Sequence, residues 1–130
     1  MARMIGILLI THGSLGESLI QCVCHVMNRR PPQMMQLGVS GQDDPLDVLP
    51  LARRLLNAVD SGDGTLILTD ILGATPANMA AKLLEPGRIE GVAGVNLPML
   101  LRAITYRERN MEVLVKKAVA GACEGVVHMK

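Results

Sequence analysis

Aromatic residues are nearly missing from this chain: it has no Trp, no Phe and one Tyr among 130 residues. Bases therefore have no rings to stack on, which argues against single-stranded nucleic-acid binding. Charge argues the same way. Thirteen Lys and Arg nearly balance twelve Asp and Glu, leaving a net charge of +1 and no basic stripe. A flavin would also need aromatic or extended loop platforms, and none is evident. The first apolar run, Ile5 to Ile10, is six residues long and stops at Thr11-His12-Gly13. That is far short of the roughly 20 residues a membrane-spanning helix requires, and it does not read as a secretory signal. Three cysteines, Cys22, Cys24 and Cys123, are an odd number without framework spacing. They read as small buried residues in a reducing cytosol. No His/Cys metal spacing and no glycine-rich nucleotide loop is present, so no metal or cofactor is expected. The core has to be built from Leu, Val, Ile, Ala and nine Met residues, the last as adaptable filling. The length suits a single domain over residues 1–130.

Against this background His12 stands out. The run before it, Ile5-Gly6-Ile7-Leu8-Leu9-Ile10, is apolar without alternation, as a parallel strand buried on both faces should be. Ser14 follows as a candidate helix N-cap, with Glu17 placed to complete a capping box. His12 is thus expected at the carboxyl end of the first strand, where open α/β sheets bind ligands and react. Most histidines carry no chemistry, and His25 and His128 lack this context.

A second segment repeats the logic. Thr65 to Thr69 reads as a buried strand closed by Asp70, and Ile71-Leu72-Gly73-Ala74-Thr75-Pro76-Ala77-Asn78 follows. Thr75 suits a helix N-cap and Pro76 the first helical position. The N–H groups of Ala77 and Asn78 would then be free to face an anion. An Asp after a strand often just begins a turn; in a functional role the Asp70 carboxylate accepts Nδ1–H of His12, fixing the tautomer and stabilising positive charge on the ring. A histidine, a carboxylate and a helix start at one sheet edge are equipment for holding a phosphoryl group on an imidazole.

Along the chain, strands and helices alternate. Strands are expected at Ile5–Thr11, Gln33–Val39, Thr65–Thr69 and Glu90–Val95. Helices are expected at Leu15–Met27, Pro45–Val59 behind an Asp44 cap, Pro76–Leu84, from Asn96-Leu97-Pro98 to Arg109, and from an Asn110 cap to Ala120. Pro50 is expected to bend the second helix or shift its start. Gly125 to Met129 reads as a short final strand at a sheet edge. The pattern predicts an α/β fold, a doubly wound, mostly parallel sheet with helices on both faces.

These residues resemble the enzyme IIA domain of the mannose family of the bacterial phosphoenolpyruvate-dependent sugar phosphotransferase system. Three segments carry the resemblance, in the family's order and spacing: Ile5 to Ser14 with Thr11-His12-Gly13, Leu68 to Asn78, and Gly94-Val95-Asn96-Leu97-Pro98-Met99-Leu100. The resemblance implies that His12 takes a phosphoryl group from the carrier protein HPr and passes it to a IIB component for sugar uptake. It implies that Asp70 orients His12, and that Gly73, Ala74 and Thr75 lie at the phosphate. It also implies a cytoplasmic homodimer, with the antiparallel C-terminal strand exchanged between subunits and the membrane reached only through a permease complex. Ala74 stands where the family usually has a second Gly, and Ala77 where an aromatic is frequent. Two other readings use the same histidine: a regulator that binds a target in one phosphorylation state, and a phosphotransfer domain serving dihydroxyacetone kinase.

Overall fold

A computed structural model describes residues 3–130. Its elements run β1 (Gly6–His12), α1 (Leu15–Met27), β2 (Met34–Val39), α2 (Pro45–Val59), β3 (Thr65–Thr69), α3 (Thr75–Ala81), β4 (Ile89–Ala93), α4 (Leu97–Tyr106) and α5 (Met111–Glu124). The four strands form one all-parallel sheet in the order β2-β1-β3-β4. β1 and β3, the two runs without polar alternation, occupy the centre, where both faces are covered. Alternate residues of β1 feed two cores. Ile7 and Leu9 pack with α1, α4 and α5, and Leu8 and Ile10 pack with α2 and α3. Four methionines, Met34, Met79, Met99 and Met111, are buried in these layers.

Strand order fixes where the sheet opens. From β1 the chain leaves through α1 toward β2, whereas from β3 it leaves through α3 toward β4. The two connections diverge, so a crevice opens between the carboxyl ends of β1 and β3.

Several boundaries differ from the sequence reading, each for a local reason. Gln33 takes a left-handed φ of 51°, so β2 starts one residue later. β4 is shifted to Ile89–Ala93 because Gly94 turns out at φ 94° and both Gly94 N–H and Val95 N–H donate to the Thr69 carbonyl. α3 stops at Ala81, where Lys82 and Leu83 tighten onto the carbonyls of Met79 and Ala80. α5 continues past Ala120 to Glu124. Gly121 within it and Gly125 at its C-cap lack the Cβ that would collide with Arg102 and Pro98, which lets α5 lie close against α4. Pro50 sits inside an α2 that keeps its expected bounds. Cys22 and Cys123 are exposed rather than buried.

The expected final strand is absent from the four-stranded sheet of this single chain. Residues 126–130 follow α5 without strand pairing, and Val126, Val127 and Met129 are largely exposed. A short strand needs a neighbour to supply its ladder hydrogen bonds, and the tail pairs with no strand of its own sheet.

At the opposite end of the sheet from His12, Arg107 is buried to 3% exposure. Its guanidinium donates to the carbonyls of Ile5, Pro32 and Gln33 at 2.9, 2.6 and 2.7 Å. Burial pushes its pKa down to about 10, partly countered by the Glu108 charge, so it stays protonated at neutral pH. Arg107→Met should cost about 3 kcal/mol or more, because it leaves the Ile5 and Pro32 carbonyls without their guanidinium donor, while the Gln33 carbonyl keeps only the Ile7 N–H. Urea unfolding of the two proteins measures this; a loss under about 1 kcal/mol would mean the carbonyls find water or other donors.

Candidate functional site

His12 is the last residue of β1 and pairs in register with Val39 of β2. Asp70 directly follows β3. Because β1 and β3 are neighbours with Ile10 opposite Thr69, the two side chains come from adjacent strand ends, 58 residues apart in sequence. Asp70 Oδ2 lies 2.7 Å from His12 Nδ1 and also accepts the His12 backbone N–H at 3.1 Å. Its other oxygen, Oδ1, accepts Ile71 N–H at 3.2 Å. The carboxylate is therefore held at both oxygens. It in turn holds the imidazole by the ring and by the backbone.

The electrostatics fix the tautomer. Partial burial alone would raise the Asp70 carboxyl; the hydrogen bonds from His12 and from its own loop backbone, with the His12 charge, outweigh burial and hold it below its ordinary value. An ionised carboxylate only accepts, so the proton between the two groups belongs to Nδ1. Half of the His12 side-chain surface is exposed, against 14% for Asp70. With Nδ1 occupied, Nε2 is the nitrogen left for reaction.

The turn after His12 is pinned at several points. Gly13 has φ 51° and donates its N–H to the Val39 carbonyl at 3.0 Å. β2 approaches closely enough that a Cβ on Gly38 would collide with the Gly13 carbonyl. The expected capping box at Ser14 and Glu17 is not formed, since the Ser14 side chain makes no cap hydrogen bond. The hydroxyl of Thr11, one strand residue before His12, takes up the Gly16 N–H instead, at 2.8 Å. Reading helix starts from the nearest Ser misses this; a Thr at the strand end, five residues before a Gly, was the available signal.

Gly73, Ala74 and Thr75 lie in the loop that follows Asp70. Gly73 has φ 87°, a conformation that favours glycine. Ala74, not Thr75, is the N-cap of α3; Thr75 is already inside the helix and Pro76 is its second residue. The first helical position is the one where orphan N–H groups begin, and Pro76 suits either of the first two because its ring needs no acceptor there. The Asn78 N–H is not free but donates to the Ala74 carbonyl at 2.9 Å, while Thr75 and Ala77 N–H make no such backbone bond. None of the three loop residues hydrogen-bonds His12 or Asp70. Ile71 and Leu72 beside them are exposed to 57% and 82%, an apolar rim next to the histidine. The Gly94 to Leu100 segment serves structure: it ties β4 to the Thr69 carbonyl, and Asn96 caps α4 by accepting Met99 N–H at 2.9 Å.

The depressed Asp70 carboxyl has a stability consequence. Its contribution is present above the ordinary value of 3.8 and is lost as pH falls through the lower folded value. Asp70→Asn should therefore cost stability near neutrality, about 1 kcal/mol or less at this half-open surface. The gap between wild type and variant should close in acid, below about pH 4. Urea melts of both proteins at pH 6 and pH 3 decide it, and a gap that widens in acid contradicts the assignment.

Known proteins share the sequence pattern and the fold of this chain. The family model described as "PTS system fructose IIA component" matches residues 6–119. Over 78 residues the chain is 35% identical to the mannose-specific EIIAB component of Escherichia coli strain K12, a match covering 58% of this chain and 24% of that protein. It is 50% identical over 44 residues to the fructose-specific EIIA component of Bacillus subtilis strain 168, covering 33% of this chain and 30% of that one. The matches thus span under a third of these two relatives' length. Among solved structures, the phosphotransferase system component EIIA from Streptococcus agalactiae superposes with a TM-score of 0.84 at 25% identity, over 96% of this chain and 97% of that one. The mannose/sorbose-specific IIA subunit from Enterococcus faecalis gives 0.85 at 20% identity, over 98% and 96%, a likeness of fold.

Proposed function

The chain belongs to the enzyme IIA family of the sugar phosphotransferase system, and from that premise we propose that it is a phosphohistidine carrier acting through Nε2 of His12. The observation that carries this reading is the 2.7 Å bond between Nδ1 and a carboxylate, which leaves Nε2 as the nucleophile on a half-exposed ring. In the forward step the Nε2 lone pair of His12 attacks the phosphorus of phospho-HPr. The N–P bond on HPr breaks as the new one forms, and the Nδ1 proton stays where Asp70 holds it. The ring then carries positive charge, which Asp70 stabilises. A IIB component removes the phosphoryl group by the same displacement in reverse. Thr75, with the N–H groups beside it, and the Gly73-Ala74 backbone meet the phosphoryl oxygens, supported by the Thr75 and Ala77 N–H groups that lack protein acceptors. The apolar rim of Ile71 and Leu72 suits brief contact with protein partners. No helix among the described residues is long and apolar enough to cross a membrane, which fits a cytoplasmic carrier that reaches the permease through IIB.

The test is labelling from phosphoenolpyruvate with enzyme I and HPr. Acid-labile phosphate should appear on the wild type, disappear in His12→Ala, and map to Nε2. Asp70→Asn should fold and label more than about tenfold slower, a loss of ~1.4 kcal/mol in transition-state stabilisation. Undiminished labelling of His12→Ala removes the proposal; a normal rate in Asp70→Asn removes the carboxylate from it.

The same proposal includes assembly as a homodimer that exchanges the C-terminal segment as an antiparallel edge strand. Two observations support it. β4 forms an open edge of the sheet, and the tail exposes Val126 and Val127 to 77% and 72%. Pairing the tail with a second copy's edge would satisfy both at once. Sedimentation should show a dimer at micromolar concentration that residues 125–130 are needed to maintain. A full-length monomer refutes the exchange and leaves the chemistry of His12 untouched.

A further inference from the structure

We propose that Thr11 is a positioning residue for phosphoryl transfer, its hydroxyl locking the turn that carries His12; the inference rests on the phosphohistidine reading above. Thr11 is fully buried, although it carries a hydroxyl and lies one residue from the exposed histidine. Its Oγ1 accepts the N–H of Gly16 at 2.8 Å. Gly16 stands in the first turn of α1, where N–H groups have no helical acceptor. The usual source of such an acceptor, the N-cap side chain of Ser14, makes no cap bond. The bond from β1 to α1 therefore closes a ring around residues 11 to 16, and His12 is a member of that ring.

The rest of the ring is held by backbone and by Asp70. His12 N–H goes to Asp70, and Gly13 N–H goes to Val39. Thr11 supplies the third anchor, on the α1 side. Space there is tight: a Cβ on Gly16 would lie 3.0 Å from Thr11 Oγ1 and 3.2 Å from Gln36 Cβ. The Gln36 Oε1 atom, a buried acceptor without a donor, borders the same spot. The hydroxyl of Thr11 thus sits at a polar junction between the reactive turn, the helix start and β2. Losing it frees the helix start and widens the range of directions in which Nε2 points. An attacking atom that is misaimed loses rate at the chemical step without losing its partner's docking surface.

The experiment uses the full chain with phospho-HPr as donor and compares wild type, Thr11→Ser and Thr11→Val, with melting temperature measured beside kcat and KM. Ser keeps the hydroxyl; Val keeps the shape and removes it. We expect Thr11→Ser within twofold of wild type. We expect Thr11→Val to lose tenfold or more in kcat while KM stays within twofold, and to remain folded at the assay temperature. Should the Val variant not fold, Thr11→Cys carries the same comparison against Thr11→Ser, since a thiol is a weak acceptor in place of a strong one. A normal kcat in the hydroxyl-free variant, or a loss seen in KM alone, overturns the role of Thr11. A wild type that takes no phosphate at all overturns the phosphohistidine reading, and this inference falls with it; the wild-type arm keeps the two failures apart.

Discussion

A strand that is apolar on both faces has one stable place in a sheet of this kind, the middle. Ile7 and Leu9 need one helical layer and Leu8 and Ile10 need the other, so β1 has to be flanked by helices above and below and by strands on both sides. Everything else in the fold follows from meeting that demand. α1 leads back to β2 on one side. α2 then crosses to deliver β3 on the other, and the two outward connections of β1 and β3 part company at their carboxyl ends. The crevice is a by-product of covering a strand on both faces. The residues that end the two central strands, His12 and Asp70, are the ones it brings together.

Placing a carboxylate at that point gives the site its character. One oxygen of Asp70 holds both the ring and the main chain of His12, which ties the orientation of the imidazole to the packing of β1 against β3. The pair lies at the rim and stays partly solvated, with the carboxylate ionised and the ring half open. Deep burial would have strengthened their attraction at a desolvation cost that can exceed it, and would have closed off Nε2. A rim position instead leaves Nε2 open to a group arriving from outside the sheet. The phosphoryl group that we propose arrives there would find N–H donors from the start of α3 on one side and the ordered turn of residues 11–16 on the other.

Much of this was legible in the residues. Unbroken apolar runs marked β1 and β3, and a strand-end histidine and a strand-end aspartate marked the site, because buried parallel strands and their termini leave strong local signals. Asp44 and Asn110 were found as caps for the same reason: each accepts an N–H two or three residues on, a bond made within a few residues. What escaped was set by distance or by company. Ser14 has the right identity for a cap, yet Thr11 reaches across the turn and takes the role. Thr75 reads as the cap but is the first helical residue, because Pro76 is tolerated at either of the first two helical positions. α5 outran Gly121 because close packing against α4 makes a glycine useful there, which helix propensity counts only as a cost. The apolar Val126 and Val127 read as a strand, yet the tail carries no strand pairing, and its neighbours in the sequence say nothing of what it would pair with.

Splitting the site between two strands also decides how it can fail. His12 and Asp70 are 58 residues apart and meet only when β1 and β3 are paired. The unfolded chain has no such pair, and no local fragment carrying His12 alone would have it either. Loosening the β1–β3 register therefore takes away the tautomer, the ring orientation and the charge stabilisation in one event. The α4–α5 layer stands differently. It covers the face of the sheet on which Met99, Leu100 and Leu114 are buried, and none of its residues hydrogen-bonds to His12 or Asp70. Changes there weaken the fold first and reach the histidine only when the sheet itself gives way. Stability and reactivity are thus joined through the central strand pair and the turns at its carboxyl ends, while the α4–α5 layer makes no hydrogen bond to His12 or Asp70.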